Sequence, residues 1–85
     1  MQYVYILKSD WDEELYIGCT SDLKKRVELH NSKRVPSTRK RANFKLLYYE
    51  AFLDKHDAFN REMFFKTGWG RSNIKKLLAN YFINN

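Results

Sequence analysis

The chain has 85 residues, 44% hydrophobic and 31% charged, and its sixteen Lys and Arg against ten Asp and Glu leave a net charge of +6. That size supports one modest core and a single domain over residues 1–85, and the composition excludes a disordered or collagen-like chain. No apolar stretch approaches the roughly 18 residues of a membrane span, and one Cys with two His is too few for a structural zinc site.

Cys19 has no partner for an internal disulfide, and Met1 to Lys8 lack a basic segment followed by an apolar one. Both features set the expectation of a reducing cytoplasm. The positive balance favours a polyanionic partner, nucleic acid first, although solubility alone would also account for it.

Tyr3 to Leu7 and Leu15 to Cys19 are β-branched or aromatic runs of strand length. The polar stretch Ser9 to Glu14 between them predicts an antiparallel hairpin with a longish turn. Gly18 ends the second strand at a point where backbone can approach a ligand closely. Thr20, Ser21 and Asp22 offer N-cap oxygens for a helix to about Asn31. A third strand follows over Phe44 to Phe52. Asp54 caps a second helix running through Lys66, with Gly68 and Gly70 as its terminators. Ser72 caps a last helix whose Ile74, Leu77, Leu78, Tyr81 and Phe82 read as a core stripe. The order β-β-α-β-α-α predicts an α/β sandwich, a three-stranded antiparallel sheet flanked by helices.

Two helices carry polar residues where apolar ones belong. At about 100° per residue, Phe65, Ala58, Phe59 and Met63 share one face of the second helix, and Glu62 falls among them. In the first helix, Arg26 and His30 lie inside the arc defined by Leu29, Leu23 and Val27. A carboxylate on a core face must be paired, metal-bound or protonated. On the pattern alone a structural reading is equally open: Arg26 with Glu62 as a buried ion pair, and His30 as a satisfied core histidine. Tyr3 and Tyr5 share one face of the first strand, and Tyr16 lies with Gly18 on one face of the second.

Together these segments resemble a known family. Tyr3-Val4-Tyr5-Ile6-Leu7 and Leu15-Tyr16-Ile17-Gly18 are similar to the paired motifs of GIY-YIG nucleases, with Tyr3 and Val4 standing where that motif has Gly and Ile. The stretch from Thr20 to Asn31 resembles the helix carrying an Arg and, four residues on, a His. Leu46-Leu47-Tyr48-Tyr49-Glu50 resembles the third strand. Arg61-Glu62 with Lys66 to Arg71 resembles the helix bearing a catalytic Glu. The resemblance spans nearly the whole chain and is closest to small stand-alone members related to UvrC-type nuclease domains. It implies a phosphodiester hydrolase with Tyr5, Tyr16, Arg26, His30 and Glu62 at the catalytic positions. Asn73 is the nearest match to a late Asn of the family, without a role carried over.

The chemistry suits those residue types. Glu62 is a hard oxygen ligand for one Mg²⁺ or Mn²⁺ ion, and Arg26 offers a planar fork to a phosphate. A Tyr phenol, ordinarily near 10, becomes a useful base only where cations favour the phenolate, with His30 available to relay or accept the proton. By the resemblance Tyr5 is the base and Tyr16 orients water or phosphate.

Residues 33 to 45 hold Lys33, Arg34, Arg39, Lys40, Arg41 and Lys45 and no acidic residue. That loop is read as a phosphate-backbone contact, with DNA the expected polymer and a solvated charge run as the plainer account. Trp11 and Trp69 are assigned to packing at the core edge ahead of base stacking. Specificity is left to a protein partner, a dimer or substrate shape. Two further readings are a non-catalytic nucleic-acid-binding or partner-recruiting module on the same fold, and a basic structural domain.

Overall fold

The computed structural model describes residues 1–32 and 43–84. Strand β1 (Gln2–Ser9) and strand β2 (Leu15–Thr20) form the hairpin, followed by helix α1 (Leu23–Asn31), strand β3 (Phe44–Phe52) and helices α2 (Lys55–Phe65), α3 (Gly68–Leu77) and α4 (Ala79–Asn84). The sheet is antiparallel in the order β2-β1-β3, so the first strand is central. The α+β architecture is the expected one.

A central strand covered on both faces should read as a continuous apolar run, and Val4 to Leu7 does. Strand alternation divides it. Val4 and Ile6 pack with Ile17, Ala58, Phe65 and Ile74 on the side of α2 and α3. Tyr5 and Leu7 pack with Phe44, Leu23, Val27 and Leu46 on the side of α1. The register steps from Ile6↔Tyr48 to Leu7↔Leu46, which leaves Leu47 as an extra residue in β3. That bulge switches faces: Phe44 and Leu46 serve the α1 side, while Tyr48 and Phe52 serve the α2 side. In the hairpin turn Glu13 takes a left-handed φ of 59°, and Ser9 N–H donates to the Glu14 carbonyl at 3.0 Å.

Asp22 is the cap of α1, accepting from Lys25 N–H at 3.1 Å, and Asp54 caps α2 through His56 and Asp57. The next corner departs from expectation. Gly68 and Gly70 do not terminate α2 in left-handed backbone, since no glycine here has a positive φ; they open α3. Thr67, not Ser72, caps that helix: its Oγ1 donates to the Phe64 carbonyl at 2.7 Å and accepts from Gly70 N–H at 3.0 Å. Gly70 is required for close approach, because a Cβ there would run into the Phe64 carbonyl.

The expected last helix is broken at Leu78, whose φ of −112° and ψ of 27° separate α3 from α4. Of its stripe, Ile74 is buried and Leu78 and Tyr81 half-buried, whereas Leu77 and Phe82 are exposed. The second strand also runs past Gly18 to Thr20.

Helix α2 is rotated relative to the expected face. Phe59 and Met63 are half exposed, at 54% and 50%. The covered arc consists instead of Phe64, Arg61, Phe65, Ala58 and Glu62. Taken at about 100° per residue, Arg61 and Phe65 occupy its middle and Glu62 its margin. Arg61 earns that place by chemistry: its Nε and Nη2 donate to the two Glu50 oxygens at 2.8 and 3.1 Å, and its plane lies 4.3 Å from the Phe65 ring centre. The ion pair in the core is therefore Arg61–Glu50, with Tyr48 donating to Glu50 at 2.7 Å, and not Arg26–Glu62.

Candidate active site

Helix α1 aims Arg26 and His30, one turn apart, at the sheet face that carries Tyr5 and Tyr16. The three side chains meet at the Tyr5 hydroxyl. Arg26 Nε donates to it at 3.3 Å, and His30 Nε2 lies 3.0 Å away. With its oxygen already accepting from a guanidinium, the phenol is placed to donate its own proton to the imidazole when Nε2 is the unprotonated ring nitrogen. His30 is completely buried and Tyr5 is 1% exposed, while Arg26 and Tyr16 are half-buried and form the accessible side. Tyr16 stands edge-on to His30 at 4.8 Å between ring centres, and Phe44 closes the other side at 5.6 Å.

Gly18 is the cross-strand partner of Tyr5, and any Cβ there would collide with the phenol. The close approach anticipated at Gly18 is therefore made by Tyr5 itself and not by a ligand. A glycine is the residue that lets a tyrosine lie flat across the hairpin toward Arg26.

Electrostatics decide the resting protonation. Burial, with help from the Arg26 charge, depresses the His30 imidazole from 6.5 to about 4, so it is neutral at pH 7. A neutral ring accepting at Nε2 carries its hydrogen on Nδ1. Burial pushes the Tyr5 phenol above its ordinary value; Arg26 pulls it down by hydrogen bond and charge, and the Tyr16 and Glu62 charges push it up again. Arg26 by itself therefore does not favour the phenolate, because burial outweighs the single guanidinium. The hydrogen bond to Tyr5 pushes the Arg26 guanidinium above its ordinary value, so it stays charged.

Glu62 arrives from α2, on the opposite face. Its side chain is 15% exposed, and its charge is felt at both the Tyr5 phenol and the Cys19 thiol, which it helps to raise. The carboxylate is bound to Lys66 Nζ at 2.7 Å. The i,i+4 spacing of Glu62 and Lys66 is the sequence signal for that pair. Four of the five expected site residues, Tyr5, Tyr16, Arg26 and His30, are thus in direct or ring contact, whereas Glu62 stands on α2 with Lys66 as its partner. Among the described residues no group of three or more His, Cys, Asp or Glu is arranged to hold a metal.

Of the basic loop, Lys33, Arg34, Arg39, Lys40 and Arg41 lie outside the described residues. Lys45 is exposed at the start of β3. Trp11 and Trp69 do not pack at the core edge, being 73% and 85% exposed. Among the described residues, no helix is long and apolar enough to cross a membrane.

Comparison with known proteins agrees with this arrangement. A family model described as the GIY-YIG catalytic domain matches residues 1–76. A UPF0213 protein of Pediococcus acidilactici is 43% identical over 92% of this chain and 82% of its own length. Another UPF0213 protein, from Clostridium perfringens, is 46% identical over 78% of this chain and 71% of its own. The solution NMR structure of a UPF0213 protein from Bacillus halodurans superposes with a TM-score of 0.57 at 32% identity, covering 91% of this chain and 85% of that one.

Proposed function

Because the chain belongs to the GIY-YIG catalytic-domain family, a family of nucleases, we propose that it is a metal-dependent endonuclease that hydrolyses phosphodiester bonds, with DNA as the polymer. The observation that carries this reading is the hydrogen-bonded line from Arg26 through Tyr5 to His30, open to solvent at its arginine end.

In that reading Arg26 binds the scissile phosphate. Its guanidinium already binds the Tyr5 hydroxyl, and its fork geometry matches phosphate oxygens as charge grows on them. Water enters between Arg26 and Tyr16, and its proton passes to the Tyr5 oxygen as the Tyr5 proton moves to His30 Nε2. In the free protein this transfer is steeply uphill, from a raised phenol to an imidazole near 4. An anionic phosphate beside Arg26 removes part of what holds His30 down, which ties the relay to substrate binding.

Glu62 would hold one Mg²⁺ or Mn²⁺ ion. A half-buried lone carboxylate fits a hard cation that keeps most of its sites for water and phosphate. When bound, such an ion acidifies water and stabilises charge on the leaving oxygen. Its entry requires Glu62 to exchange Lys66, and that ion pair favours a second reading, a module that grips nucleic acid without cutting it.

A nicking assay on plasmid, branched and single-stranded DNA, with and without Mg²⁺ or Mn²⁺, separates the two. Glu62→Ala and Arg26→Ala are expected to lose cleavage by roughly 10³-fold while remaining folded. Wild-type speed in either purified variant refutes the assignment.

A further inference from the structure

We propose that Tyr49 and Tyr3 form a stacking platform for an unpaired nucleobase, one nucleotide from the phosphate held at Arg26. The preferred substrate is then nucleic acid with single-stranded nucleotides at the cut. This inference rests on the nuclease reading and adds a substrate class to it.

Tyr49 is the cross-strand partner of Tyr5 on β3, so it stands on the same sheet face as the candidate centre, one strand further over. Helix α1 covers that face only in part. Phe44 and Leu46 pack with its Leu23 and Val27, but Tyr49 lies past them and is 51% exposed. Tyr3 sits edge-on to it, with ring centres 5.9 Å apart at 64°. An edge-to-face pair fixes both rings while leaving aromatic face area uncovered.

The rings border a hollow of about 350 Å³ whose remaining walls are Ser21, Asp22, Leu23 and Lys24. A second hollow, of about 370 Å³, is lined by Thr20, Lys25, Arg26 and Leu29 together with the same Ser21 and Asp22. The two depressions therefore meet across the start of α1. One is aromatic with a single lysine; the other presents a lysine and the arginine bonded to the Tyr5 hydroxyl. The Asp22 carboxylate at the divide is occupied as the α1 cap, accepting from Lys25 N–H.

An alternation of basic and aromatic walls is what a single strand requires: a phosphate on Arg26 and Lys25, and the adjoining base on Tyr49 with Lys24 beside it. A base within a duplex is already stacked on its neighbours and has no free face to offer, so the platform discriminates by pairing state. Every base has a π-face, so it does not discriminate by sequence.

The test measures binding alone, by fluorescence anisotropy in the absence of divalent metal, so that it does not depend on cleavage. A forked oligonucleotide and a fully paired duplex of equal length are titrated with wild type, Tyr49→Leu and Tyr49→Phe, and 2-aminopurine is placed at the first unpaired position of the fork. Base–aromatic stacking predicts that Tyr49→Leu weakens fork binding by roughly five- to 150-fold. Duplex binding should move less than about twofold, and the 2-aminopurine quenching seen with wild type and Tyr49→Phe should disappear. Tyr49→Thr, which preserves strand propensity, replaces the Leu variant if thermal unfolding shows the sheet disturbed. If a folded Tyr49 variant binds the fork as tightly as wild type, or loses fork and duplex equally, the platform is refuted while the nuclease reading stands. Wild type that binds neither oligonucleotide overturns both.

Discussion

Among the described residues, each face of the sheet holds one half-buried arginine, and the two are treated in opposite ways. On the α2 face, Arg61 is fully neutralised: a bidentate Glu50, itself bonded by Tyr48, with the guanidinium lying over Phe65. On the α1 face, Arg26 is bonded to the Tyr5 phenol, and among the described residues no carboxylate lies within ion-pair distance of it. Burial of a cation beside neutral oxygens is a poor stability device, since the desolvation cost is not repaid by an opposite charge. An arginine left in that condition is poised for an anion from outside. The counter-charge missing on one face and present on the other distinguishes a site from a structural staple.

That contrast can be broken most directly by removing each guanidinium. Arg26→Met should reduce cleavage by roughly 10³-fold and shift the unfolding free energy by less than about 1 kcal/mol. Comparable loss of activity in Arg61→Met, measured on the same substrate, would erase the distinction.

The second effect is acid sensitivity. His30 is near 6.5 in the unfolded chain and about 4 in the folded one, so unfolding takes up a proton as pH drops below 6.5. Its contribution is complete above pH 7 and is lost progressively between pH 6.5 and 4, up to about 3 kcal/mol. Urea midpoints across that range should fall more steeply for wild type than for His30→Gln, and parallel slopes would mean that the imidazole is not held neutral by burial.

Next in size is the staple. Arg61→Met strands Glu50, whose side chain is 21% exposed, and should cost about 2 kcal/mol, less than for a fully buried pair because water reaches both partners. The double change Arg61→Met with Glu50→Gln should recover part of that loss in the same melts.

The smallest effect concerns Lys66, which is 46% exposed where it binds Glu62. Its replacement by Met should alter stability by less than about 0.5 kcal/mol. It should also lower the Mg²⁺ concentration for half-maximal cleavage a few-fold. An unchanged metal requirement would argue that Glu62 is not the ligand.

Much of this was readable along the chain. Alternation marked Tyr3 and Tyr5 as sharing a face, and helical periodicity placed Arg26 and His30 inside the apolar arc of α1; both features hold in the fold. The glycine corner was not readable in the same way. Gly68 and Gly70 carry the usual signature of a helix end, yet Gly70 is demanded by contact with a carbonyl six residues earlier, which no local signal reveals. The α2 wheel contained Arg61 and Glu62 side by side. Which of the two turns to the core depended on Glu50, eleven residues upstream and on another element.

The order of elements, their caps at Asp22 and Asp54, and the polar residues lodged among apolar ones were set by short-range hydrogen bonding and by the periods of strand and helix, and those are properties of the chain itself. The rotation of α2 about its axis, the switch of faces at Leu47 and the burial that moves Tyr5 and His30 in opposite directions came only with assembly. Azimuth and desolvation depend on which surfaces meet, and that is a property of the packed layers, not of any one segment.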